Sequence, residues 1–182
     1  MIRLLTVLLQ QQPKDVPMFP PRAEGVATFT GRVYGQVFLT PTPNGKIHIH
    51  GTLFGLKRNM RMGVHIHETG DLGNNCNNAA GHWSLFAHNH GALTSSVRHD
   101  GDLGNLMTDS NGRMLFNLIV TQNPLDPTDG FIGLSLVIHE KPDDLGRGGN
   151  AASLVNGNSG RRIACAVIGY RKRPTFGICT LP

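Results

Sequence analysis

A chain of 182 residues with a formal charge of +5 and a pI near 9.5 is long enough for one domain with its own core and too short for two ordinary ones. Its 23 glycines and 11 prolines, its few aromatics and the lack of any long helical apolar period exclude a helical bundle and a membrane span and leave an all-β chain with long loops. The basic residues are scattered apart from Arg171-Lys172-Arg173 and are not interleaved with aromatics, which argues against nucleic acid and leaves an acidic surface or a small anion as the attracted partner.

In chain order, residues 1–24 come first. MIRLLTVLLQQQPKD has one basic residue and a short apolar run without small residues suited to cleavage, so it reads as a poor signal peptide and better as a disordered or strap-like leader. No Asn-x-Ser/Thr acceptor occurs, which favours a cytoplasmic location over secretion. Strands are predicted at Val26–Val33, Gln36–Leu39, Lys46–Phe54 and Gly63–Glu68, then at Asn105–Thr108, Arg113–Val120, Phe131–His139 and Ile163–Tyr170. Tyr34-Gly35, Pro43-Asn44-Gly45 and Asp109-Ser110-Asn111-Gly112 supply turn residues between them. Eight short strands of this kind predict an antiparallel sandwich or barrel. Residues 69–104 and 140–162 break the rhythm: both are long and Gly/Asn/Asp-rich, and loops of that length in a small domain usually carry function.

The motif HIH occurs twice, at His48/His50 in KIHIHGTL and at His65/His67 in GVHIHETGDL. On a strand, residues i and i+2 share a face, so either pair could offer two imidazoles to one ion. Spacing alone does not choose between them. Of nine histidines, six lie between Gly63 and Asp102. Imidazole suits copper, zinc, iron and nickel, and imidazole mixed with carboxylate suits zinc in particular. His90, His99 and Asp102 with His82 would make a closed tetrahedral zinc site. Three cysteines, Cys76, Cys165 and Cys179, form no CxxC and leave one unpaired if two are bridged.

GVHIHETGDL, then Cys76, HWSLFAHNHG, RHDGDLGN, VIHEKPDDLGRGGN and GNSGRRIACAVIG resemble, in residue type and order, the copper–zinc superoxide dismutases. The resemblance covers about residues 25–170, with a C-terminal tail at 171–182. It implies an eight-stranded Greek-key barrel, a zinc loop at 69–104 and an electrostatic loop at 140–162. The activity implied is disproportionation of superoxide to oxygen and hydrogen peroxide at a redox-cycling copper, with a structural zinc. His65, His67, His82 and His139 match the copper ligands, and His82, His90, His99 and Asp102 the zinc ligands, with His82 as the bridge. Arg162 matches the arginine that docks the anion, Asp143 the carboxylate linking the two sites through their histidines, and Cys76–Cys165 the intrasubunit disulfide. His48 and His50 fall where relatives have no ligand, so they are expected on the solvent face of a strand with Ile47 and Ile49 inward.

Some positions depart from the family. A charged pair and a lysine that usually help guide the anion are replaced by Ala151, Ala152 and Val155. Prolines that flank the arginine in members needing a copper chaperone are replaced by Arg161 and Ile163, which implies activation without that chaperone. Thr69, Gly70, Ile132, Gly133 and Tyr170 match a homodimer interface. Two other readings stay open: a non-catalytic dismutase-like copper-delivery or metal-binding module, and a histidine-rich metal buffer in which His48, His50 and His88 would also take part.

Overall fold

Alternating apolar and polar residues, punctuated by turn sequences, build eight antiparallel strands in the computed structural model, which describes residues 24–120 and 130–172. They are β1 (Gly25–Thr30), β2 (Tyr34–Pro41), β3 (Ile47–Phe54), β4 (Arg61–His67), β5 (Asp102–Met107), β6 (Met114–Val120), β7 (Ser135–His139) and β8 (Arg162–Tyr170). Their order is β5-β4-β7-β8-β1-β2-β3-β6. A bridge between Thr108 and Met114 brings β5 and β6 together, so the sheet curls into a nearly closed barrel. The expected all-β Greek-key architecture is therefore observed. The leader up to residue 23, the tail from residue 173 and Cys179 lie outside the described residues.

Strand ends shift by a few residues from the expected bounds, and one turn moves. Tyr34-Gly35 is not a turn: both residues sit in β2, with Gly35 opposite Phe29 on one side and Leu53 on the other. Gly35 has φ +129°, and a Cβ there would run into the Thr52 carbonyl, so the glycine serves close strand approach in place of chain reversal. The reversal falls at residues 31–33 instead. A short helix α1 (Ser153–Asn156) lies in the second long loop, where no helix was expected; four residues are too few to print a period on the sequence.

The core is the barrel interior, with Val37, Leu39, Ile47, Ile49, Val64, Ile66, Phe116 and Ile138 among its buried side chains. Alternation then decides where the histidines go. In β3, Ile47 and Ile49 are buried and His48 and His50 are half-exposed on the outer face. In β4, Val64 and Ile66 fill the core, yet His65 and His67 on the outer face are also buried, because residues 68–101 and 140–161 fold over them.

Candidate metal centre

Two elements of the barrel carry three of the centre's histidines. His65 and His67 project from β4, and His139 ends β7, whose Val137 lies opposite His65. The loop after β4 is pinned to that strand through Ile66, which donates to the Gly101 carbonyl and accepts from the Trp83 amide, each at 2.9 Å. This anchoring sets His82 beside His65, with ring centroids 3.9 Å apart. Asp102 opens β5 and faces His65 across the pair; it was expected on the loop.

Hydrogen bonds fix which nitrogen of each ring is free. His65 donates from Nε2 to Oδ2 of Asp143 at 2.9 Å, and His90 donates from Nε2 to Oδ1 of the same carboxylate at 2.7 Å. His67 donates from Nδ1 to the Ala80 carbonyl at 3.0 Å, and His139 from Nδ1 to the Gly160 carbonyl at 3.2 Å. A neutral imidazole has one N–H and one lone pair, so lone pairs are left on Nδ1 of His65 and on Nε2 of His67 and His139, and His90 would present Nδ1 once it gives up its second proton. Asp143 takes part in two tasks, since its Oδ1 also accepts from the Leu145 amide at 2.7 Å. Gly157 makes room for it: φ is +62°, and a Cβ there would meet both Oδ1 of Asp143 and Nε2 of His90.

Two clusters result. In the first, Nε2 of His67 and Nε2 of His139 stand 3.2 Å apart, and Nδ1 of His65 and Nε2 of His82 are buried without a hydrogen-bond partner. Lone pairs turned towards one another and orphaned buried nitrogens are unfavourable unless a cation occupies the space between them. The residues therefore fit an all-imidazole copper site. In the second, Oδ1 of Asp102 lies 2.9 Å from Nδ1 of His82, 2.9 Å from Nδ1 of His90 and 3.3 Å from Nδ1 of His99. Three imidazoles and one carboxylate fit zinc. A grouping within 4.8 Å around Asp102 comprises His65, His82 and His90; His99, with Nδ1 3.3 Å from Oδ1 of Asp102, is placed to complete this cluster while Nδ1 of His65 serves the first. His82 faces one cluster with each nitrogen.

Burial holds His65, His67 and His82 below the ordinary imidazole value, and burial aided by His82 and Arg162 pushes His139 down to about 4. These rings are neutral near pH 7, the form a metal requires. Burial also opposes protonation of His90, but carboxylates on both of its nitrogens outweigh it and raise its pKa to about 9.

A pocket of about 560 Å³ opens over the first cluster, lined by His67, His82, His139, Lys141, Val155 and Arg162 among others. Among the described residues Arg162 makes no ion pair. Its guanidinium donates to the carbonyls of Cys76 at 2.6 Å, Asn77 at 3.1 Å and Ala80, while neighbouring Arg161 pairs with Glu140 at 2.8 Å. Cys76 is tied to Cys165 by a disulfide with Cα atoms 6.1 Å apart, so the loop carrying those carbonyls is locked to β8, which carries Arg162. Ala152 and Val155 do line the pocket. Lys141 escaped the sequence reading, although its place two residues after His139 put it on the same side of an extended chain. His88 is exposed and hydrogen-bonded to the Arg98 carbonyl, apart from both clusters.

Comparisons with known proteins agree on one family. Residues 33–168 match the family described as copper/zinc superoxide dismutase. The superoxide dismutase [Cu-Zn] of Paramecium bursaria Chlorella virus 1 is 42% identical over 147 residues, covering 81% of this chain and 78% of that protein. The extracellular superoxide dismutase [Cu-Zn] of Schistosoma mansoni is 42% identical over 147 residues, covering 80% and 79%. Among solved structures, the clock protein EA4 superposes with a TM-score of 0.79 at 35% identity, covering 84% of this chain and 98% of that one.

Proposed function

The chain belongs to the copper/zinc superoxide dismutase family, and from that footing we propose how its own residues divide the work. The activity is disproportionation of superoxide to oxygen and hydrogen peroxide, with copper and zinc as cofactors and superoxide as substrate. His65, His67, His82 and His139 hold copper; His82, His90, His99 and Asp102 hold zinc. Copper supplies a reversible one-electron couple, whereas zinc is redox-silent and supplies fixed charge and an anchor for the loop. The observation that carries the assignment is the pair of orphaned buried nitrogens, Nδ1 of His65 and Nε2 of His82, beside the facing lone pairs of His67 and His139.

Arg162 attracts the anion and orients it over the cluster, since three backbone carbonyls immobilise a guanidinium that stays charged. Lys141 adds a second positive charge at the pocket wall, where Ala151, Ala152 and Val155 supply none. Nε2 of His82 is the pocket-facing position that can hold a proton and pass it to the departing peroxide. Asp143 keeps the protons of His65 and His90 on Nε2, and so keeps both Nδ1 atoms turned inward. Metal analysis with a superoxide-disproportionation assay tests the reading: one copper and one zinc per chain, with activity abolished in His65→Ala, is expected. Bound metal without activity would leave only the metal-binding module.

A Cβ at Gly70 would meet the Gly133 carbonyl and Val167, so these positions lie side by side, and exposed Val167 and Tyr170 extend that patch, which supports a homodimer; light scattering giving a monomer at micromolar concentration would overturn it. Arg161 and Ile163 support copper loading without a dedicated chaperone, and copper-free, reduced protein from chaperone-deficient cells would refute that. The missing glycosylation acceptor supports a cytoplasmic location, although one relative is named extracellular; cell fractionation tests it. Among the described residues no helix is long and apolar enough to cross a membrane.

A further inference from the structure

His48 and His50 are the histidine pair that the dismutase chemistry does not use. They stand half-exposed on the outer face of β3 among the described residues, and their rings are stacked with centroids 4.6 Å apart and planes at 27°. The two stacked pairs inside the buried cluster bracket that geometry: His65–His82 at 3.9 Å and 28°, and His67–His139 at 5.4 Å and 27°. The surface rings are thus spaced like imidazoles that already share a centre.

Their orientation is fixed from both neighbouring strands. His48 donates from Nε2 to Oδ1 of Asn117 at 2.8 Å, and Nε2 of His50 lies 3.0 Å from the Thr40 hydroxyl. Asn117 of β6 is the register partner of His50, and Thr40 of β2 is the register partner of His48. Each ring is therefore tethered by the residue facing the other. Asn117 Oδ1 can only accept, so a neutral His48 keeps its lone pair on Nδ1; the Thr40 hydroxyl can accept as well as donate, and where it accepts, His50 presents Nδ1 in the same way. A ring held by its other nitrogen is the arrangement ligating histidines adopt.

We propose that His48 and His50 form a second, exchangeable metal site for a divalent transition ion that favours imidazole, such as copper, nickel or zinc, bound through the two Nδ1 atoms and completed by water. Two protein ligands without a carboxylate make it weaker than the buried sites, so its ion exchanges with solution. The positive charge of Arg171 nearby is partly offset by Glu24, 3.1 Å from it. Burial, with His48 and Arg171, holds His50 below its ordinary pKa, so its ring is neutral at pH 7. Residents of the buried clusters take no part, and the site stands or falls independently of the dismutase assignment.

The test uses full-length protein already loaded with copper and zinc, equilibrated with nickel(II) chloride at pH 7.5. Equilibrium dialysis is expected to give one nickel per chain while copper and zinc contents stay constant, and paramagnetic broadening should single out the His48 and His50 ring resonances. His48→Gln or His50→Gln removes this equivalent, and Asn117→Ala weakens it about 10- to 100-fold, with dismutase activity unchanged in all three. His88→Gln leaves nickel binding as it was. No additional nickel, binding that survives both glutamine substitutions together, or broadening centred on His88 would each overturn the proposal.

Discussion

Asp143→Asn replaces one carboxylate oxygen by an NH2 group where both oxygens accept. Oδ1 takes the Nε2–H of His90 and the Leu145 amide, each at 2.7 Å, and Oδ2 takes the Nε2–H of His65 at 2.9 Å. An amide satisfies only one of these sides and sets donor against donor on the other. The ring that loses its acceptor either leaves a buried N–H unpaired, at about 1–3 kcal/mol, or moves its proton to Nδ1, the atom a metal needs. Loss of such an outer partner typically weakens a metal site about 10- to 100-fold, or roughly 1.4–2.8 kcal/mol. The two sites should not suffer equally. Of the residues proposed for copper, His65, His67 and His139 are fixed by β4 and β7, whereas His90 and His99, proposed for zinc, sit on a loop that Asp143 helps to fasten. The variant is therefore expected to lose about 10- to 100-fold in zinc affinity and less in copper affinity, measured by competition with a chromophoric chelator, with circular dichroism confirming an intact barrel. Zinc affinity within twofold of the parent, or a larger loss at copper than at zinc, would refute the reasoning.

Arg162→Gln should lower the superoxide-decay rate by about tenfold or more at low salt and flatten its dependence on ionic strength, with copper and zinc contents unchanged; a rate equal to the parent's would remove Arg162 from substrate docking. Cys165→Ala opens a loop spanning 89 residues and should lower stability by about 4–5 kcal/mol; denaturant unfolding should show reductant destabilising the parent and leaving the variant unchanged. In the metal-free protein, His139 titrates at about 4 when folded against about 6.5 unfolded. The unfolded chain thus binds the proton first as pH falls, and stability present above pH 6.5 drains away towards pH 4. His90, raised to about 9, acts with the opposite sign, its contribution being full below pH 6.5 and gone above pH 9. Apo-protein melting temperature measured across pH 4–10 should show a loss on both flanks, and a flat acid flank would contradict the burial argument.

How much of this was legible in the sequence follows from the range of each signal. Alternation at Ile47-His48-Ile49-His50 and Val64-His65-Ile66-His67 printed the strand faces directly, because a strand's period is local. The order of histidines and carboxylates along the chain supplied the clusters through family resemblance. Features set by backbone were invisible: the carbonyls of Cys76, Asn77 and Ala80 that hold Arg162, and those of Ala80 and Gly160 that choose the tautomers of His67 and His139, carry no side-chain signature. Gly35 reads as a turn residue in the sequence because glycine marks both chain reversal and close strand approach, and only the pairing across β2 and β3 separates the two.

The identical HIH strings show where selection between sites resides. Both put two imidazoles on the outer face of a strand, so the strand sets their spacing and nothing more. At β4 the loops add His82, His90 and Asp143 and β5 adds Asp102; together they bury the rings and hold protons away from the inward nitrogens. At β3 the partners are Asn117 and Thr40, neutral groups that orient rings without adding charge, and among the described residues both rings stay half-exposed. Affinity should follow this difference in cover and charge. A carboxylate placed at Thr40 would strengthen the β3 pair for the reason that Asp143 strengthens the β4 pair: a charged acceptor holds the ring proton on Nε2 and raises the basicity of Nδ1.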